Sequence, residues 1–215
     1  MRTIEDQLRE EYFQLLPDTR RVANHLEVEI RYCLLPISRT LRKHEQLEVT
    51  SRIKDCESAL DSLRRRQEGA TFDRDQPSLY TLTKLNDLAG VRVLAFPMRR
   101  LIEINQVLQD KYHDWQPDPV PGFHFPGFHS NAQPQAFKYH GYCQASNKVR
   151  GEFQIVSMLT GLFWQVEHSA IYKPDPRLKG IAGSRVMQQR TQEVLDALRT
   201  FEEEYESLLH DELGQ

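Results

Sequence analysis

Twice in this chain a short extended run passes straight into a segment of helical period, and that alternation limits the folds open to it. Gly90-Val91-Arg92-Val93-Leu94-Ala95-Phe96 reads as a half-buried strand ended by Pro97, and a helix follows over about Arg99–Lys111. Glu152–Val156 reads as another strand. After it, Leu159, Leu162, Phe163, Val166 and Ala170 form the expected buried stripe of a helix from about Met158 to Tyr172, stopped by Pro174 and Pro176. Strands alternating with helices predict an α+β (or α/β) fold, a mixed β-sheet of about five strands covered by α-helices.

The flanks are helical by pattern. Residues 3–16, 19–35 and 37–48 carry apolar positions at helical spacing with Pro17 and Pro36 as expected breaks, and a last helix covers about Ser184–Leu209. Tyr139–Val149 pairs with Glu152–Val156 in a hairpin expected to turn near Lys148–Gly151. Gln116–Ala136 holds five of the eleven prolines and reads as loop or edge strand. The 215 residues therefore read as one domain: a helical N-terminal extension (1–48), a core (49–174) and a C-terminal helix (180–215).

Composition narrows the function classes. Lys and Arg number 28 against 31 Asp and Glu, a net charge of -3, which argues against a dedicated nucleic-acid coat protein. The fullest apolar stretch, Ile155–Val166, falls short of the ~20 residues of a membrane span, and the N-terminus has no apolar signal region, so a cytoplasmic protein is expected. Cys33, Cys56 and Cys143 are too widely spaced for a thiolate metal site or a disulfide framework.

Arg52 and Lys54, if extended, point the same way. Asp55 is a plausible N-cap for a helix over Cys56–Arg66, whose face Ser58, Ser62 and Arg65 gathers hydroxyls and cations where a phosphate would bind; the same pattern also describes a solvated basic face. Asp87 stands just before the strand of Arg92, and Glu152 shares a face with Gln154. One carboxylate from each of two strand ends suits a Mg²⁺ site shared with substrate phosphates, although either alone also serves as a cap or ion-pair partner. Trp164, His168 and Tyr172 recur every fourth residue, a stripe that fits packing as well as a nucleotide.

Read in order, these segments resemble the RelA/SpoT synthetase domain, most closely the compact small alarmone synthetases. The family's R-x-K-x-x-x-S-x-x-x-K-x-x-R is Arg52, Lys54, Ser58 and Arg65 here, with Ser62 at the lysine. D-x-x-G-x-R is Asp87 to Arg92; G-Y-x-S-x-H keeps only Gly141-Tyr142; E-x-Q-I-R-T is Glu152 to Ser157; F-W-x-x-x-E-H-x-x-x-Y-K has all its named residues from Phe163-Trp164 to Tyr172-Lys173, with one residue fewer between Trp164 and Glu167.

The resemblance implies a nucleotidyltransferase-like fold and a nucleotide pyrophosphokinase (GTP diphosphokinase-like), which moves pyrophosphate from ATP to the 3′-hydroxyl of GDP or GTP with Mg²⁺. By it, Asp87 and Glu152 hold the metal and Glu152 also takes the acceptor proton. Arg52, Lys54, Ser58, Arg65 and Arg92 bind ATP, while Tyr142, Gln154 and His168 bind the acceptor. Ser62, Gln144, Ser146, Val156 and Gly161 depart from the family. Because base discrimination rests on placed donors and acceptors, adenosine nucleotide and the tRNA 3′ end stand as alternative acceptors, and a non-catalytic nucleotide-binding regulatory module as an alternative role. A tRNA backbone would meet Arg39, Arg42, Lys43 and Arg64-Arg65-Arg66. Compact members often form homotetramers. The C-terminal stripe Val186, Val194, Leu195, Leu198 and Phe201 would serve such an interface or cover the chain's own sheet.

Overall fold

The computed structural model describes residues 2–66, 72–73, 79–112, 123–124, 136–167 and 184–213. Helix α1 runs Ile4–Cys33 and α2 Leu35–Thr40; strand β1 is Gln46–Ile53; α3 is Cys56–Arg65. Then follow β2 (Ala89–Phe96), α4 (Arg99–Lys111), β3 (Phe123–His124), β4 (Ala136–Cys143), β5 (Ser146–Ser157), α5 (Met158–Glu167) and α6 (Arg185–Leu213). The sheet has the order β1-β2-β5-β4-β3, in which only β2 and β5 are parallel. The mixed α+β architecture expected from the strand–helix alternation is the one observed.

One proline acts otherwise than predicted. Pro17 lies inside α1 without breaking it, because Leu8, Tyr12 and Leu15 before it and Val22, Leu26 and Ile30 after it are all buried in one core. Burying each large apolar side chain is worth roughly 1.5–3 kcal/mol, so the stripe outweighs the ~3 kcal/mol of a mid-helix proline. Pro36 marks the expected break: α1 ends at Cys33 and α2 starts at Leu35, with Pro36 in its first turn, where its missing N–H costs nothing. The helix expected over 37–48 therefore stops at Thr40, and Gln46 already pairs with Phe96 as strand.

One face of the sheet is the core. Val49, Val91, Val93, Phe153, Ile155, Phe137 and Tyr139 meet the α1 stripe and Leu101, Ile104 and Leu108 of α4. Gly151 lets α1 approach: a Cβ there would stand 2.4 Å from Leu26 Cδ1 and 3.0 Å from Val22 Cγ1. That glycine is a point of close packing and not the predicted turn. The hairpin instead turns at Gln144-Ala145, between the paired Cys143 and Ser146.

The opposite face is open over its middle and covered at one end by α5. Here the predicted stripe is wrong: Leu162 and Val166 are exposed, whereas Thr160 and Gly161 are buried. A Cβ at Gly161 would lie 2.3 Å from Leu94 Cδ2, so the helix turns its smallest residue to the sheet. Helix α6 closes this end through Glu202, Tyr205 against Phe96, and Glu206, which accepts from the Arg99 amide. Among the described residues no helix is long and apolar enough to cross a membrane.

Candidate active site

The open face holds a cleft of about 740 Å³. Strand pairing builds its floor in two rows: Arg52, Gly90 and Glu152 lie side by side, and Thr50, Arg92, Gln154 and Lys138 form the next row. Side chains two apart on a strand share a face, which is why Arg92, Glu152 and Gln154 point into the cleft while Val91, Phe153 and Ile155 point into the core. Gly90 leaves room for its neighbour: a Cβ there would stand 3.3 Å from Arg52 Cγ and Nε, close enough to push that side chain by a few tenths of an ångström.

Helix α3 forms one wall. Asp55 caps it by accepting from the Ser58 amide at 2.9 Å and also from the Ser58 hydroxyl. Ala59, Leu60 and Leu63 are buried, which leaves Ser58, Ser62 and Arg65 along the cleft as their spacing predicts. The helix N-terminus itself is already satisfied by Asp55, so positive potential comes from the strand cations instead.

Those cations are held under strain of charge. Lys54 Nζ pairs with Asp87 Oδ2 and donates to Ser62 Oγ at 2.9 Å, and Ser62 Oγ also accepts from Arg65 Nη2 at 3.1 Å. Burial pushes the Lys54 ammonium down, against the pull of Asp87. Burial likewise lowers Arg92, helped by repulsion from Arg52 and opposed by Glu152. Among the described residues neither Arg52 nor Arg92 makes an ion pair. Bound phosphates would restore the balance.

The carboxylates show the complementary need. Glu152 sits deep in the cleft, and its carboxyl is raised by burial and then by the charge of Asp87; the Gln154 amide, which donates to Glu152 Oε1, and Lys138 oppose this. Asp87 Oδ1 is buried with no hydrogen-bond partner among the described residues. A buried carboxyl raised by its neighbour's charge, beside a neighbour with an orphaned oxygen, fits a divalent cation that also takes oxygens from phosphates and water. Among the described residues no group of three or more His, Cys, Asp or Glu side chains gathers, so a metal here would have these two as its protein ligands.

Arg52, Lys54, Ser58, Arg65, Asp87, Arg92, Glu152 and Gln154 thus come together around one cleft. Tyr142 is not among its lining residues; it stands at the irregular end of β4 beneath Arg150. His168, Tyr172 and Lys173 lie outside the described residues. Lys138 was missed by sequence reasoning, although its alternation with Phe137 and Tyr139 marks it as facing away from the core.

This is the compact RelA/SpoT synthetase-domain fold. Small alarmone synthetase 1 from Bacillus subtilis matches with a TM-score of 0.64 at 16% identity, over 96% of this chain and 100% of that one. The structure of that synthetase bound to its product pppGpp matches at 0.61 and 18%, over 94% and 96%. A GTP pyrophosphokinase family protein from Streptococcus pneumoniae matches at 0.63 and 18%, over 94% of both chains. No family model and no curated protein matches the sequence.

Proposed function

We propose that the chain is an ATP-dependent pyrophosphokinase whose acceptor is the 3′-hydroxyl of a nucleotide, with GDP or GTP as the default, giving (p)ppGpp and AMP. The observation that carries this is the juxtaposition of Arg52 and Arg92, which make no ion pair among the described residues, with the Asp87–Glu152 pair. The similar Bacillus synthetase has been solved bound to AMPCPP and bound to its product pppGpp, which supports nucleotides as the partners here.

Arg52, Lys54, Arg65 and Arg92 grip the ATP phosphates. The acceptor oxygen attacks the β-phosphorus, the bond from that phosphorus to the α,β-bridging oxygen breaks, and AMP leaves with that oxygen. Glu152 takes the hydroxyl proton, a task for which a carboxyl raised above its ordinary range is suited. Mg²⁺ held by Asp87 and Glu152 would neutralise charge on the transferred phosphates. Positioning and charge neutralisation supply most of the rate in such transfers, and the cleft is built from groups that do both.

The test is transfer of label from terminally labelled ATP with Mg²⁺ to GDP, GTP, ADP and deacylated tRNA in parallel. Label on a guanosine nucleotide, lost in Glu152→Gln, is the expected result. Equal transfer by Glu152→Gln refutes the mechanism, and no transfer by the native chain favours a binding module.

A further inference from the structure

Lys54 stands where the end of β1 meets the start of β2, and both of its backbone groups are held. Its N–H donates to Leu88 O at 2.9 Å, and its C=O accepts from the Tyr12 hydroxyl at 2.9 Å. With the main chain fixed there, the side chain reaches Asp87 Oδ2 and donates to Ser62 Oγ at 2.9 Å, and only 13% of it is exposed. Ser62 Oγ accepts from Arg65 Nη2 as well, at 3.1 Å, so two cations share both of its lone pairs. Burial works against the ammonium charge, Asp87 holds it, Arg52 repels it and Glu152 attracts it.

An ammonium on one oxygen of Asp87 supplies the positive charge that a divalent cation would otherwise bring to the same carboxylate. A cation drawn to the orphaned Oδ1 meets that ammonium across a single carboxylate, where little water screens the repulsion. Nucleotide phosphates remove the conflict, because their oxygens accept N–H bonds and also bind the metal, so Lys54 can leave Asp87 for a second anion without losing its charge partner. We propose that Lys54 competes with the divalent cation for Asp87 in the nucleotide-free chain, so that the cation enters with the nucleotide phosphates and not ahead of them. The inference rests on the pyrophosphokinase reading above, to which it adds the order of loading.

The test is equilibrium dialysis of the nucleotide-free chain against Mn²⁺, which takes the same oxygen ligands as Mg²⁺. Lys54→Met leaves Asp87 without its counter-ion and should bind Mn²⁺ about tenfold or more tighter than the native chain, and Asp87→Asn added to it should abolish the gain. Lys54→Gln, which removes the charge but keeps a donor for Asp87 or Ser62, should show the same gain should Lys54→Met fail to fold. Lys54→Arg, which keeps the charge, should stay near native. A non-transferable ATP analogue should raise the Mn²⁺ retained by the native chain by about tenfold or more. Equal Mn²⁺ affinity in the native chain and the neutral variants, a gain that survives Asp87→Asn, or native binding as tight without the analogue as with it would each overturn the competition. Dialysis that behaves as expected, with no label transferred to any acceptor, would instead refute the pyrophosphokinase reading and leave the competition in place.

Discussion

Glu202 is the one described residue of α6 that is fully buried, and its carboxyl faces a single hydroxyl: Ser157 Oγ lies 2.7 Å from Oε1 and 2.5 Å from Oε2. Ser157 has one proton to give, so an ionised Glu202 leaves one oxygen without a donor, whereas a protonated one can donate back. Burial is the main cause that raises its pKa from 4.5 to about 7, with Glu206 adding repulsion and the Ser157 hydrogen bond opposing. The sign follows from linkage. Between the two pKa values the folded chain holds a proton that the unfolded chain has released, so stability falls as pH rises through this window and levels off above the folded pKa.

A shift of this size corresponds to at most about 3 kcal/mol, reduced where water reaches the helix end. Glu202→Gln keeps the shape and cannot ionise. The variant should match the native chain near pH 4, below both pKa values, and exceed it by up to about 3 kcal/mol near pH 8, read from urea unfolding at each pH. Taking the difference between the two chains cancels every other titrating group, Glu206 included, to first order. A difference that stays flat with pH, or a native chain that gains on the variant as pH rises, would refute the buried-carboxyl argument.

Two further perturbations test the packing and the cleft. Gly151→Ala places a Cβ against Leu26 and Val22 where the core cannot yield freely, and should cost about 1–3 kcal/mol in thermal or urea unfolding; an unchanged midpoint would show that α1 is not seated on β5 as described. Ser62→Lys replaces an acceptor shared by Lys54 and Arg65 with a third cation. The unliganded chain should lose about 1–3 kcal/mol, and a non-transferable ATP analogue should raise its melting temperature by more than it raises the native one; an equal ligand shift in both would count against phosphate binding at these cations.

What was legible in the sequence was carried by local signals. Helix α4 falls on its predicted bounds because Pro97 and a strong apolar stripe fix it, and α3 follows from the Asp55 cap. The cleft residues were legible because period-two alternation decides which face a strand residue takes. What failed was decided by tertiary packing. Pro17 breaks a helix only where no buried stripe offsets it, and Gly151 looks like a turn until Leu26 is placed against it. The apolar residues of α5 run round much of the helix, so period alone could not say which face would meet Leu94. Lys138 was lost because the strand was started at Tyr139, three residues late.

The departures from the family pattern fall in three places, and the structure gives each a different physical weight. Val156 and Gly161 act together: Val156 joins Leu94 and Ala136 in a small apolar cluster under Trp164, and Gly161 admits Leu94 beneath α5. An arginine at 156 would need a partner in that dry corner, and any side chain at 161 would displace Leu94, so either change alone is costly. Gln144 and Ser146 lie at the hairpin tip, away from the cleft, where Ser146 serves its own turn. Only Ser62 stands among the cleft cations, and there it braces Lys54 and Arg65 rather than adding charge. The Asp87–Glu152 pair and the cations on β1 and β2 therefore keep their arrangement, while the departures fall at the hairpin tip, in the apolar corner beneath α5 and at the single brace Ser62.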